Sequence, residues 1–315
     1  MRQRPLGRTG LTVSELAFGT SPLGYATDPA AQRQGTAAVH TALELGITFF
    51  DVSPYYGATR AERVLGTALR GVDRSSYVLA TKVGRYGQND FDFSARRAER
   101  SVHESLDRLG TDHLDLVQCH DIEFGDLDQV ADETVPALRA LQASGLVGAV
   151  GVTGYPLPAL TYVAERVPVD TVLSYGQYTL QDRRLAGYRG RFADLGAAVI
   201  NAAPFAMGAL TEAGPPPWHP ASGEVLRRCA EAAALCRARG ADIERIALQF
   251  SAATGGFVTT VVGAANPMEV RRNVASLDDP VDRELLAEVE ECLAPVRDVG
   301  WRNGRRENQH PGGAR

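Results

Sequence analysis

Long apolar runs are missing from this chain of 315 residues. A bilayer-spanning helix takes about 20 consecutive apolar residues, so none is expected. The opening Met1-Arg2-Gln3-Arg4-Pro5-Leu6-Gly7-Arg8 also lacks the apolar stretch of a secretory signal, which points to a soluble, cytoplasmic protein. Cysteine is scarce. Cys119, Cys229, Cys236 and Cys292 form no CxxC pair, and a domain of this size needs no disulfides, so all four read as reduced. The net charge is −5 and the basic residues are dispersed, which excludes the cationic stripe a nucleic-acid or acidic-membrane partner requires. No Pro/Gly/Ser-rich linker divides the chain, and 44% hydrophobic content can fill one large core. One domain over residues 1–299 is therefore expected, followed by a polar tail over 300–315 that frays.

What is present is an alternation. After a small hairpin around Gly7-Arg8-Thr9-Gly10, strand-like runs occur at Leu16–Gly19, Phe49–Asp51, Tyr77–Thr81, Leu114–Gln118, Gly148–Val152, Thr171–Ser174, Val199–Ala202 and Thr259–Val262. Between them, Ala30–Leu45, Arg60–Leu69, Ser94–Leu109 and Asp128–Ala143 carry apolar residues at helical spacing and end in Gly46, Gly71, Gly110 and Gly145. Eight βα units predict an α/β fold, a (β/α)8 TIM barrel with an N-terminal β-hairpin. The rival doubly wound sheet is disfavoured, because the first βα turn, Phe18-Gly19-Thr20-Ser21-Pro22-Leu23-Gly24, is not a G-x-G-x-x-G turn. The long stretch from Phe205 to Ser222, with Pro215-Pro216-Pro217-Trp218-His219-Pro220, reads as a loop over the site.

Polar residues appear where three successive strands stop. Asp51 and the following Ser53-Pro54-Tyr55-Tyr56-Gly57, then Thr81-Lys82, then Cys119-His120-Asp121 place an acid, a phenol, an amine and an imidazole on the rim where barrels carry their chemistry. A phenol titrates near ~10, so Tyr56 can exchange a proton at neutral pH only if a neighbour stabilises its phenolate. Lys82 is that neighbour, and Asp51 supplies the counter-charge a buried ammonium needs. His120 can hydrogen-bond the same substrate oxygen. The four make a proton-transfer site for a carbonyl or alcohol, with no metal demanded. A metal-dependent barrel hydrolase using Asp51, His120, Asp121 and Glu123 is disfavoured, since such sites generally draw two or more histidines from strand ends and only His120 qualifies.

Asp51-x-x-x-x-Tyr56-Gly57, Lys82 and His120 resemble the catalytic tetrad of the aldo-keto reductases, and the resemblance runs from Leu6-Gly7-Arg8-Thr9-Gly10 to Val262-Gly263 and Asn273. It implies a TIM barrel, a nicotinamide dinucleotide, Tyr56 as general acid/base, Lys82 and Asp51 tuning it, and His120 orienting the substrate. The family's Ser-Asn pair that holds the nicotinamide carboxamide corresponds to Thr153-Gly154, of which only Thr153 has a side chain to bond with. Tyr175 stands where an amide is usual, and Ala202 where an aromatic often stacks on the ring; Pro204 and Gly263 complete the cofactor set on this side. Phosphorylated cofactor is held in the family by a basic residue where this chain has Gly263 and an arginine where it has Glu269. A carboxylate repels a phosphate and accepts from ribose hydroxyls, which favours NAD. Arg271 and Arg272 keep NADP possible, and Asn273 would face the adenine.

With NAD, the resemblance implies oxidation of the anomeric carbon of an aldose such as L-galactose to its lactone. The substrate cleft would hold Tyr55, Asp121, Glu123, Phe205 and Trp218. Three alternatives stay open: an NADPH-dependent reductase of aldehydes or ketones, a dehydrogenase of L-fucose, D-arabinose or pyridoxal, and a cofactor-sensing subunit like the potassium-channel β-subunits of the family. Nothing in the sequence bears on the oligomeric state.

Overall fold

Ten strands and eleven helices follow one another in the computed structural model, which describes residues 1–253 and 255–311. Strands β1 (Gln3–Pro5) and β2 (Thr12–Ser14) form an antiparallel hairpin. Strands β3 (Leu16–Gly19), β4 (Phe49–Asp51), β5 (Val78–Val83), β6 (Leu114–Cys119), β7 (Val147–Gly154), β8 (Thr171–Tyr175), β9 (Ala198–Ala202) and β10 (Thr259–Gly263) follow. These eight pair in parallel, each with its sequence neighbour, and β10 returns to β3, so the barrel closes and leaves no open edge. The helices are α1 (Pro29–Glu44), α2 (Arg60–Ala68), α3 (Ala95–Leu109), α4 (Leu127–Gln129), α5 (Val135–Ala143), α6 (Leu157–Arg166), α7 (Arg184–Asp194), α8 (Gly223–Ala238), α9 (Ile243–Ala253), α10 (Pro267–Asp278) and α11 (Arg283–Leu293). Among the described residues no helix is long and apolar enough to cross a membrane.

The strands read as continuous apolar runs because both of their faces are buried. Residues on one face, Ala17, Phe49, Ala80, Leu116, Ala149, Leu173, Ile200 and Val261, fill the barrel interior. Their alternates, Leu16, Phe18, Phe50, Leu79, Val117, Val150, Val172 and Val199, join the layer beneath the helices. The hairpin has a place in this scheme: Leu6 and Val13 are fully buried within the interior cluster and plug the barrel's lower end.

Helix boundaries follow local chemistry. Asp28 accepts from the amides of Ala30 and Ala31 to start α1, and Ser94 accepts from Arg97 to start α3, which ends at Gly110 in the left-handed conformation. One expected helix is interrupted. Over the span read as Asp128–Ala143, α4 and α5 are separated by a wider π-turn at Val130–Thr134. Pro136 explains it, because proline has no N–H to donate to the carbonyl one turn back.

One segment differs from expectation more sharply. Residues 300–311 do not fray: Trp301 stacks on Tyr155 with ring centroids 4.5 Å apart, and the buried Asn308 donates to the carbonyls of Glu123 (2.9 Å) and Gly125 (2.8 Å). Polar composition suggested disorder, but these amides find buried carbonyls at the rim that need donors. Residues 312–315 lie outside the described part. The loop after β9 is also anchored, with His219 Nε2 2.9 Å from the Ala206 carbonyl and the His219 ring 5.4 Å from that of Trp301.

The turn that presents Tyr56 rests on a backbone-to-backbone contact. Gly57 has φ +63°, and a Cβ there would lie 2.1 Å from the Gly24 carbonyl oxygen; a Cβ on Gly24 would lie 2.7 Å from the Gly57 nitrogen. Neither neighbour is a side chain that can rotate away. Gly57→Ala is therefore expected to destabilise the fold by about 1–3 kcal/mol or more and to shift Tyr56. Urea unfolding checks it, and a midpoint equal to that of the parent would show that the two loops can separate freely.

Candidate active site

On the inward faces of the strands, apolar residues give way to polar ones at the carboxyl ends. Asp51 follows Phe49, Lys82 follows Ala80, Gln118 and His120 follow Leu116, and Tyr175 follows Leu173, each at period two. The barrel thus delivers these side chains to one rim. Lys82 Nζ lies 2.5 Å from Asp51 Oδ1, 2.9 Å from the Val52 carbonyl and 3.3 Å from Tyr56 Oη. An ammonium has three N–H groups, and all three have acceptors. Gln118 Nε2 donates to the other Asp51 oxygen at 3.3 Å.

Both members of the ion pair are almost wholly buried. Burial pushes the Asp51 carboxyl up, while Lys82 and Gln118 pull it down. Burial works against the Lys82 charge, but Asp51 and Tyr56 more than offset that, so the amine titrates above its ordinary value. For Tyr56 the sequence expectation is only half right. Lys82 does favour the phenolate, yet burial of the phenol is the larger effect and raises it to about 12. The phenol is therefore a proton donor at neutral pH.

His120 faces Tyr56 with its ring nearly perpendicular, centroids 5.6 Å apart. Burial, then Lys82 and Arg85, holds the imidazole well below its ordinary value, so it is neutral. Its Nδ1 is 2.9 Å from Ser53 Oγ, which itself accepts from the Tyr55 amide at 3.1 Å. The Ser53 hydroxyl can donate to Nδ1, and the tautomer with its proton on Nε2 would point that proton towards Asp121 Oδ2, 3.6 Å away. In that tautomer Tyr56 and His120, with ring centroids 5.6 Å apart, would both be donors on the same rim, which suits an oxygen gaining negative charge.

A second polar group adjoins the first. Asp121, in the left-handed conformation at φ 51°, pairs with Arg85, whose guanidinium lies 3.7 Å from the centroid of the Tyr55 ring. Thr153 Oγ1 accepts from the Asp121 amide at 3.2 Å, so this hydroxyl supports the turn after β6. Glu123, expected in the cleft, is fully buried under the tail. Its Oε1 receives the Tyr155 amide (3.1 Å), Asn303 Nδ2 (2.7 Å) and Tyr175 Oη (3.3 Å), and its Oε2 has no partner. Burial, with Asp121 adding, pushes this carboxyl up to about 8. The missing side chain at Gly154 now has a reason: a Cβ there would sit 2.6 Å from Glu123 Oε2.

The remaining candidates fall around this core. Phe205 is half-buried, Pro204 is buried in the turn after β9, Ala202 is buried, and Trp218 is 65% exposed. On the β10 side, Gly263 is exposed, and Asn266 caps α10 by accepting from the Glu269 amide at 3.0 Å. Glu269 accepts from the Ala265 amide and Asn266 Nδ2, both at 2.7 Å, so its carboxylate braces the loop before α10. Arg272 pairs with Glu244 at 2.7 Å, Arg271 lies 3.7 Å from Glu44, and Asn273 is buried. The amides of Ala265 and Glu269 at the start of α10 are thus already met by side chains of the same turn.

Ser53, Gln118, Arg85 and Asn303 escaped the sequence reading. Gln118 had a signal, since it precedes His120 by two on a strand and shares its face. Arg85 and Ser53 sit in rim loops, and Asn303 in the tail, where no periodicity points inward.

The profile described as Aldo/keto reductase family matches residues 15–294. The chain belongs to this family of NAD(P)-dependent oxidoreductases. It is similar to L-galactose dehydrogenase of Arabidopsis thaliana, 46% identical over 97% of this chain and 98% of that one. It is also similar to D-threo-aldose 1-dehydrogenase of a Pseudomonas species, at 28% over 90% and 95%. Among solved structures, an aldo-keto reductase from Bacillus halodurans in its holo form matches with a TM-score of 0.77 and 27% identity, over 98% of this chain and 99% of that one.

The folded Glu123 carboxyl holds its proton to about 8, against an ordinary value of 4.5. Its contribution to stability is therefore complete below about 4.5 and is lost as pH rises through about 8. Glu123→Gln should flatten that part of the stability profile and raise the melting temperature relative to the parent above pH 8. Differential scanning calorimetry from pH 5 to 9 reads this directly, and parallel profiles for the two proteins would rule it out.

Proposed function

We propose that the protein oxidises the anomeric carbon of an L-galactose-like aldose to its lactone, with NAD as hydride acceptor. The observation that carries the reading is the contact of Tyr56 Oη with Lys82 Nζ at 3.3 Å, with Asp51 behind the amine and His120 across from the phenol. In this role Tyr56 takes the proton of the anomeric hydroxyl, Lys82 stabilises the resulting charge, and His120 Nε2 holds the same oxygen. Asp51 is a positioning residue that keeps Lys82 charged. Thr153, Tyr175, Pro204, Gly263, Glu269, Arg272 and Asn273 are the residues proposed to hold the dinucleotide, which would supply the hydride acceptor for the anomeric carbon. The aldose substrate is supported by the two relatives named above, both dehydrogenases of sugars. A panel of L- and D-aldoses with pyridoxal, followed by NADH formation, tests it; turnover of pyridoxal alone would overturn the sugar.

A protonated phenol near about 12 favours the opposite direction, and so supports reduction of an aldehyde by NADPH as the second reading. The two directions should separate by pH. Oxidation needs the phenolate and should rise up to about tenfold per pH unit through the neutral and mildly alkaline range, whereas reduction should stay flat. Tyr56→Phe should lower both by roughly 10²–10⁴-fold while leaving cofactor affinity nearly intact. Activity within tenfold of the parent would remove Tyr56 from the mechanism.

Cofactor preference follows from charge. The extra phosphate of NADP brings about −1.5 to −2 charges toward Glu269. Wild type should prefer NAD, and Glu269→Arg should shift the ratio of kcat/KM toward NADP, with about 1.5–3 kcal/mol as the upper scale of the gain. An unchanged ratio would assign the phosphate to Arg271 or Arg272.

A further inference from the structure

Arg85 and Asp121 are joined through Arg85 Nη1 and Asp121 Oδ2, and each keeps a polar atom in reserve. Arg85 Nε reaches the Gly87 carbonyl at 3.5 Å, whereas Nη2 takes no protein acceptor among the described residues and is not sealed from solvent. Asp121 Oδ1 likewise receives no protein donor among them and is not sealed. The guanidinium cannot wander, because Tyr55 lies 3.7 Å from it and the stacked Phe91 and Phe124 rings 5.3 Å each. The Asp121 backbone sits in the left-handed region, which aspartate tolerates, and the turn holds its carboxylate beside Arg85. A fixed free donor beside a fixed free acceptor is the complement of a hydroxyl group, which both accepts and donates.

The pair also has a defined place. Asp121 Oδ2 is 3.6 Å from His120 Nε2, the atom facing the reacting oxygen. A group on the carbon next to the reacting one is what comes within reach. We propose that Arg85 and Asp121 together read the hydroxyl on the carbon adjacent to the reacting carbon and so set the enzyme's preference for 2-hydroxylated substrates. This deepens the aldose reading and rests on it, and it assigns to Arg85 a specificity role. An aliphatic aldehyde without that hydroxyl forgoes both hydrogen bonds, which is the basis for discrimination.

The test compares kcat/KM for lactaldehyde and propanal in reduction, and for an aldose and its 2-deoxy counterpart in oxidation. Wild type should favour the hydroxylated member of each pair by about 10- to 100-fold, the scale of one charge-assisted hydrogen bond. Arg85→Met alone strands a buried carboxylate and can misfold, so Arg85→Met/Asp121→Asn, which removes both charges together, is made beside it. In the double variant the ratio should fall towards one. Equal losses on both substrates, with the ratio kept, would make the pair a brace for the turn and overturn the proposal, as would a wild type that does not discriminate. A wild type that favours lactaldehyde yet oxidises no aldose would sink the sugar substrate and leave the hydroxyl-reading pair standing.

Discussion

The buried contact between Lys82 and Asp51 is the constraint on which the rim depends. Two charges withdrawn from water are costly unless each hydrogen-bonding position is met, and replacing such a pair with apolar residues is often neutral for stability. Its retention here is better explained by what it holds. Lys82 has one N–H left after Asp51 and Val52 are served, and that N–H meets Tyr56. Position follows from register: β4 pairs Asp51 with Ala80, so Lys82 lies two residues further along the neighbouring strand on the same inward face. A slip of one residue would turn Lys82 outward among the helices.

Around this pair the site divides by chemistry. Strands β4 to β6 and their following turns supply Asp51, Tyr56, Lys82 and His120, with His120 kept neutral by burial and by the cations Lys82 and Arg85. A neutral donor and a protonated phenol both suit an oxygen that is about to become negative. Arg85 belongs to both halves, since it helps keep His120 uncharged and also neutralises Asp121 one residue later. Without that cation, Asp121 beside Glu123 would place two carboxylates together in a buried region, and Glu123 already holds its proton to about 8 for this reason among others.

Much of this was legible from the chain. Short, continuous apolar runs ending at Asp51, Lys82 and His120 are local, so the barrel strands and the cluster of polar residues on their rim could be read from the chain. What spacing does not carry is the balance of opposing effects at one atom. Lys82 beside Tyr56 suggested a lowered phenol, and only the burial around Tyr56 shows that the larger effect runs the other way. Composition misled at residues 300–311, because a polar segment looks disordered until the buried carbonyls of Glu123 and Gly125 are known to face it. The π-turn before α5 was readable in principle from Pro136, whose missing N–H falls in the middle of a helical pattern.

Gly154 shows why departures from a family pattern are better followed through the structure than counted as defects. Read alone, it removes a side chain from the rim. In the fold, the space that a Cβ would need lies 2.6 Å from Glu123 Oε2, so the carboxyl takes up the room that glycine leaves. Glu123 then requires donors, and it finds them in Tyr175, which replaces the amide expected on β8, and in Asn303 from the tail. Asn303 Nδ2 also bonds Tyr175 Oη at 2.7 Å, which closes the cycle. The tail in turn approaches closely because Gly304, with φ +78°, has no Cβ to meet the Glu123 carbonyl 2.3 Å away. Glu123, Gly154, Tyr175, Asn303 and Gly304, five positions far apart in the chain, therefore form one packed unit. A side chain restored at 154 would have to displace the Glu123 carboxyl and, with it, the hydrogen bonds from Tyr155, Tyr175 and Asn303.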